Sequence, residues 1–318
     1  MNNLNNKQEE YKNICCPKCN SQNLIKRGFR KTLNRGKIQR YSCKECSNRF
    51  VIDDGFFRMR NSPQKVTLCM DLFYRGVSTR KVQEHLQAFY PHNSDHSTIL
   101  RWLWKYSKVI SNFTNNLKLN VGSEIQVDEV EYHRRIDHTK GSKGAEKNFF
   151  IDSIDPTTKF MVASEYAKSR DSKNIKVVVK RAKERTQSET QRQIKKVTTD
   201  GWVAYEKVIK NVFGYNLKEN KYNVIHHKVI VSEKEEVFNY PIERLHNNIR
   251  ARTKTFRGFH GSVESANLIM KGYEIYYNFI TKHQTINCCP YELAVPDLKL
   301  NSANKWLELI NLATQKGF

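Results

Sequence analysis

Two Cys-x-x-Cys pairs, Cys16-Pro-Lys-Cys19 and Cys43-Lys-Glu-Cys46, constrain the first fifty residues more tightly than any other pattern in the chain. Each pair offers two thiolates to one tetrahedral Zn²⁺, and the two together close a four-sulfur structural site at the base of a long hairpin. Between the pairs lie Lys26, Arg27, Arg30, Lys31, Arg35, Lys37 and Arg40 with no acidic residue, and Phe29 and Tyr41 are interspersed among them. A metal-pinned hairpin so charged suits phosphate contacts, with Lys26, Arg27, Arg30, Lys31 and Arg35 as the candidates. Cys15 can substitute for Cys16, although Cys16 gives the better spacing. Cys69, Cys288 and Cys289 read as packing residues. The polar N-terminus MNNLNNKQEEYKN lacks the apolar region of a signal peptide. Reduced thiols and metal ligands are therefore expected rather than disulfides.

The charge is lopsided. The 318 residues hold 55 Lys and Arg against 32 Asp and Glu, a formal +23. Residues 1–112 alone carry 21 basic and 8 acidic side chains, more than half of the surplus. Such a balance favours a polyanionic partner, most plausibly nucleic acid. No run of about 18 apolar residues exists, so no membrane span is expected, and a cytoplasmic or nucleoid location follows.

From Pro63 to Tyr106 the spacing predicts three short helices. Pro63 suits a first helical position, and Val66, Cys69, Met70 and Phe73 follow at helical intervals. Gly76 ends that helix, and Ser78 caps the next, STRKVQEHLQAF. After the turn YPHNS, Ser94 or Asp95 caps DHSTILRWLWKYSKVI, whose Ile99, Trp102, Leu103 and Tyr106 form a core stripe. His96, Ser97, Thr98 and Arg101 fall largely off that stripe, as the base-reading residues of a helix-turn-helix would. A helical bundle serving as linker or dimer contact is the alternative.

Near residue 123 the period changes. SEIQVDEVEY alternates like a strand, and NFFIDSID and KFMVASEY follow as two more, joined by a turn at Asp155-Pro156-Thr157-Thr158. Then come a helix (DSKNIKVVVKRAKER), a strand (KKVTTD), a helix (VAYEKVIKNVF), a strand (YNVIHHKVIV) and a long helix from about Pro241. That order makes an α/β core: a mixed five-stranded sheet flanked by helices. It places Asp128 centrally on the first strand, Asp200 at the end of the fourth and Glu243 on the first turn of the later helix. Three carboxylates so placed suit two Mg²⁺ or Mn²⁺ ions, and such a pair can cut and rejoin phosphodiesters. Glu129 and Glu131 alternate to the opposite face from Asp128, which argues against ligation. Asp152 and Asp155 read as strand-end and turn residues. Glu233, Glu235 and Glu236 stand near Glu243 as substitutes, although SEKEEV looks like a solvated charge run.

The chain resembles the DDE-type insertion-sequence transposases with an RNase H-like core, most nearly insertion-sequence family six. The segments that carry the likeness are YRGVSTRKVQEHL, DHSTILRWLWKY, VDEVEY, TTDGWVAY and IERLHNNIRARTKTFRGFHGSVESA, across roughly residues 63–285. In that family the glutamate is followed at i+3 by His, at i+6 by Ile and at i+7 by Lys or Arg. Here those positions are His246, Ile249 and Arg250. The resemblance implies Asp128, Asp200 and Glu243 as ligands of two Mg²⁺ or Mn²⁺ ions; the cysteine spacing itself adds one structural Zn²⁺ on Cys16, Cys19, Cys43 and Cys46. His246 and Arg250 would contact the scissile phosphate or orient the carboxylate. The implied partners are double-stranded DNA, as element ends and target, and a second copy of the chain or a higher oligomer. The expected organisation is a zinc ribbon (1–54), a helix-turn-helix domain (55–115), the RNase H-like core (116–285) and a tail (286–318) with one amphipathic helix. A catalytically silent DNA-binding regulator and an RNase H-type nuclease are the competing readings.

Overall fold

A computed structural model of the chain describes residues 14–33, 36–57, 59–90, 94–135, 145–186, 194–229, 240–254 and 259–315. Arg35, Glu233, Glu235 and Glu236 lie outside the described residues. The chain divides into two compact units, Met1–Val66 and Thr67–Phe318. In the first, β1 (Leu24–Thr32), β2 (Gly36–Cys43) and β3 (Arg49–Val51) form an antiparallel meander. Among its described residues the buried apolar side chains are Cys16, Tyr41, Cys43, Phe56 and Val66, the last in the first helix.

The second unit opens with three helices, α1 (Pro63–Tyr74, its start belonging to the first unit), α2 (Thr79–Phe89) and α3 (His96–Asn115). Gly76 takes φ 102° after α1, a conformation that a side chain would strain. Ser78 Oγ accepts from the Lys81 N–H, and Asp95 rather than Ser94 caps α3, accepting from the Ser97 N–H at 3.0 Å. Ile99, Trp102, Leu103 and Tyr106 are buried, and their stripe packs α3 against later helices of the same unit.

The sheet consists of β4 (Glu124–Arg135), β5 (Ala145–Ile154), β6 (Met161–Ala167), β7 (Lys196–Asp200) and β10 (Ile225–Val229), in the order β10-β7-β4-β5-β6. The hairpins β4–β5–β6 are antiparallel, whereas β7 runs parallel to β4 and to β10. Connections through α4 (Ser172–Thr186) and α5 (Val203–Phe213) allow the change of direction. The result is the mixed five-stranded α/β sheet that the element order predicted. β6 is buried on both faces, packed between α4 and α7 (Val263–Ile275), which is why MVASEYA shows no polar alternation. Two features go beyond the sequence reading. Tyr215–Asn216 (β8) and Lys221–Tyr222 (β9) make a separate hairpin, so the fifth strand begins at Ile225 rather than Tyr222. Phe259–His260 (β11) also adds a short parallel pairing to the far end of β4.

Helix α6 (Tyr240–Thr253) crosses β4 and β5, and the chain ends with α8 (Pro290–Ala294) and α9 (Lys305–Gln315). Trp306 of α9 stacks on Tyr74 at 5.5 Å, and its indole N–H faces Asp71 at 3.3 Å, so the tail helix packs within its own chain. Gly272 of α7 lies where α7 meets α1 and α3. A methyl there would enter the van der Waals shells of Tyr74 Oη and Ser107 Oγ, which contact each other at 3.1 Å. Gly272→Ala is expected to destabilise the protein by about 2–3 kcal/mol, measured by chemical denaturation. A loss below about 0.5 kcal/mol would show that the contact yields without strain.

Candidate active site

Among the described residues, β4 has a gap in one edge. Its pairing with β7 ends at Gln126↔Thr198, and its pairing with β11 begins at Arg134. Asp128 and Glu129 lie on the open stretch, and Asp200 is the last residue of β7. One carboxylate oxygen from each of Asp128, Glu129 and Asp200 falls within 4.8 Å of the others. The expectation that Glu129 stays away from Asp128 is therefore corrected. Alternation does send the two to different surroundings, but at an unpaired edge both carboxylates still reach the gap. Asp128 Oδ1 accepts the Glu129 N–H at 2.8 Å, while Glu129 is held by Arg170 Nη1 at 2.7 Å and by the Tyr205 hydroxyl at 2.6 Å. Arg170 in turn stacks 4.1 Å over Trp202, whose backbone N–H donates to Asp200 Oδ1 at 3.0 Å.

On the other face of β4, register builds a polar row that local pattern does not reveal. Asp128 lies directly opposite Asp152 on β5, and Asp152 directly opposite Ser164 on β6. Helix α6 covers the start of this row. The Ile242 N–H donates to Gln126 Oε1 at 3.3 Å, fixing the first turn of α6 two residues from Asp128. One turn later His246 places Nδ1 3.5 Å from Asp128 Oδ2 and Nε2 2.7 Å from Asp152 Oδ1. His246 is 3% exposed and Asp152 fully buried. This corrects His246 as a DNA contact: the ring faces two carboxylates inside the protein. Asp152, read as a strand-end residue, is third from the end of β5 and fully buried, which the sequence reading did not foresee.

Burial disfavours charge throughout the site. It pushes the Asp128 carboxyl up to about 7 against the pull of His246, and it raises Asp152 and Asp200 as well. For His246 burial lowers the pKa, but Asp152 and then Asp128 outweigh it, and the net shift is upward. Carboxylates crowded and desolvated in this way fit a divalent cation in their donor chemistry. Glu243, on the first turn of α6 between Ile242 and His246, is exposed and stands outside the group of three acids. Arg250 is exposed two turns along the same helix.

The other expected contacts are distributed over both units. Lys26, Arg27, Arg30 and Lys31 are exposed along β1, as is Phe29. At the start of α3, His96 Nδ1 lies 3.1 Å from Asp95, and Arg101 folds back on Ser97 and Thr98. The four sulfurs of Cys16, Cys19, Cys43 and Cys46 converge within 4.8 Å, with Cys16–Cys46 and Cys19–Cys43 both at 3.5 Å. Four thiolates at about 2.3 Å from one zinc would be spaced by nearly that distance. The two knuckles also repeat one another: in each, the first cysteine accepts backbone N–H groups from residues two and three further on. In each, the residue after the second cysteine is left-handed, Asn20 at φ 57° and Ser47 at φ 56°.

Residues 137–284 match the family model of a DDE domain, that of IS240-type transposases. The match includes Asp200 and Glu243 and begins just after Asp128. With it, the chain is an enzyme of the DDE transposase class. No curated protein matches the chain. Among solved structures, a chain in the crystal structure of the Mos1 strand transfer complex is similar over 67% of this chain and 76% of that one, at 9% identity and a TM-score of 0.23. Among the described residues, no helix is long and apolar enough to cross a membrane.

Proposed function

We propose that this transposase binds the terminal inverted repeats of an insertion sequence, cleaves the element ends and joins them to target DNA. The reading extends to an RNase H-like core of insertion-sequence family six preceded by a zinc ribbon and a helix-turn-helix. The observation that carries it is the meeting of Asp128 and Asp200 at the open edge of β4 in a chain with a DDE domain. Asp128 and Asp200 would hold two Mg²⁺ or Mn²⁺ ions with Glu243, which α6 suspends one turn before His246. When bound, the ions supply Lewis acidity toward the phosphodiester and neutralise the charge that develops on its oxygens.

The remaining work falls to this chain's own residues. Gln126 and His246 fix α6 over the gap, and Arg170 and Tyr205 keep Glu129 oriented along its rim. Arg250 and the exposed cations of β1 draw the phosphate backbone in, while Ser97 and Arg101 offer polar groups at the start of α3. Positioning and charge neutralisation then provide most of the acceleration. Two element ends must be held together, so the working form is a dimer or higher oligomer on DNA.

Incubation with Mg²⁺ and a labelled duplex carrying the element's end tests the reading, and covalently joined strand-transfer products are expected. Binding without cleavage or joining would favour a silent regulator. Preferential cutting of an RNA–DNA hybrid would favour a nuclease.

A further inference from the structure

We propose that Asp152 is a positioning residue for the metal site, fixing the Asp128 carboxylate through the His246 ring; this rests on Asp128 being a metal ligand. The starting observation is a carboxylate that folding does not account for. Asp152 is fully buried near the end of β5, paired on both sides by β4 and β6, where an acid is costly unless its oxygens are satisfied. Only Oδ1 is, by His246 Nε2 at 2.7 Å, and Oδ2 has no hydrogen-bond partner among the described residues. An apolar residue would serve the core better. What the acid does supply is orientation.

The imidazole presents its two nitrogens to two carboxylates on adjacent strands, Asp152 at 2.7 Å and Asp128 at 3.5 Å. Those strands hold the carboxylates in direct cross-strand register, and α6 fixes the third corner. The Nε2 bond to Asp152 tethers the buried ring so that Nδ1 faces Asp128 Oδ2 at 3.5 Å. Asp128 Oδ1 is meanwhile engaged by the Glu129 N–H, and the carboxylate plane is set from both sides. The logic is that of carboxylate–histidine pairs behind metal ligands, moved one residue outward. Removing such an outer partner typically weakens metal binding about 10–100-fold.

The test titrates Mn²⁺ into the full-length protein and reads free Mn²⁺ by electron paramagnetic resonance, without turnover. Asp152→Ala is expected to weaken Mn²⁺ binding about 10–100-fold, with binding of an element-end duplex unchanged. Asp152→Asn keeps the shape and one acceptor and should lose several-fold, so it carries the test if the alanine variant does not fold. In a His246→Gln background, Asp152→Ala should add no further loss, because its effect passes through the ring. Strand cleavage by Asp152→Asn should recover at raised Mn²⁺ with its KM for DNA unaltered, which a merely structural role would not produce. Wild-type Mn²⁺ affinity in a folded Asp152 variant overturns the proposal, and so does full additivity with His246→Gln. An Asp128→Asn control separates the two readings. If it leaves Mn²⁺ binding intact, Asp128 is not a ligand and both fail; if it abolishes binding while the Asp152 variants do not change it, only the positioning role fails.

Discussion

Asp200→Ala is expected to lower strand cleavage and transfer by about a thousand-fold or more, with folding and DNA-end binding retained. Asp200 is half-buried at the last position of β7, where its carboxylate accepts the Trp202 backbone N–H. Losing that bond affects the turn into α5 and costs about 1 kcal/mol. Against it stands a gain. Burial raises the Asp200 pKa, so the folded state favours the protonated acid. Such a group contributes stability below the ordinary carboxylate range and loses it as pH rises through the folded pKa. At neutral pH the metal-free ionised form is a burden, and alanine relieves it. The same sign applies to Asp128 over a stated window: with a chelator present, wild type should lose stability between about pH 4 and pH 7, and Asp128→Asn should flatten that slope. Gel-shift and strand-transfer assays on one preparation decide the main point. An Asp200→Ala protein that still joins ends at more than about a tenth of the wild-type rate would remove Asp200 from the chemistry.

What the sequence made visible in this site was whatever depends on near neighbours. The alternation of EIQVDEVEY placed Asp128 inside β4, KKVTTD ended β7 at Asp200, and Pro241 marked the first turn of α6. Ser78 and Asp95 cap their helices because capping is a local competition for N–H groups. The rest required strand register. Nothing in NFFIDSID distinguishes a buried Asp152 from a strand-end one until β5 is laid against β4 with Asp152 opposite Asp128. Glu129 was set aside by a rule of alternation that holds for paired strands. The rule does not count the gap left where β7 stops and β11 has not begun. From sequence His246 fits either a phosphate contact or a carboxylate-orienting group, because a helix face drawn from sequence has no inside. Packing against β4 and β5 gave it one, and Glu243, three residues earlier, stayed in solvent.

Removing the four-cysteine centre should have the second large effect. Among its described residues the first unit is a three-stranded meander with few buried apolar side chains, a core of the size that a structural metal commonly staples. Its exposed β1, the basic surface of the unit, is paired to β2, and β2 ends at Cys43. A zinc ion on Cys16, Cys19, Cys43 and Cys46 would contribute on the order of 10 kcal/mol of folding free energy, more than the strands can replace. The full-length protein purified with zinc should therefore carry one zinc per chain by atomic absorption. Cys43→Ser, or a strong chelator, should release it and unfold β1–β3 by amide hydrogen exchange. Amides of β4–β6 and α7 should keep their protection, since that sheet has a core of its own. Binding to the element end should weaken at least tenfold and lose part of its salt dependence, as Lys26, Arg27, Arg30 and Lys31 cease to lie along one strand. A chain that holds no zinc, or a Cys43→Ser protein whose β1–β3 amides stay protected, would show that the four thiols are packed for another reason.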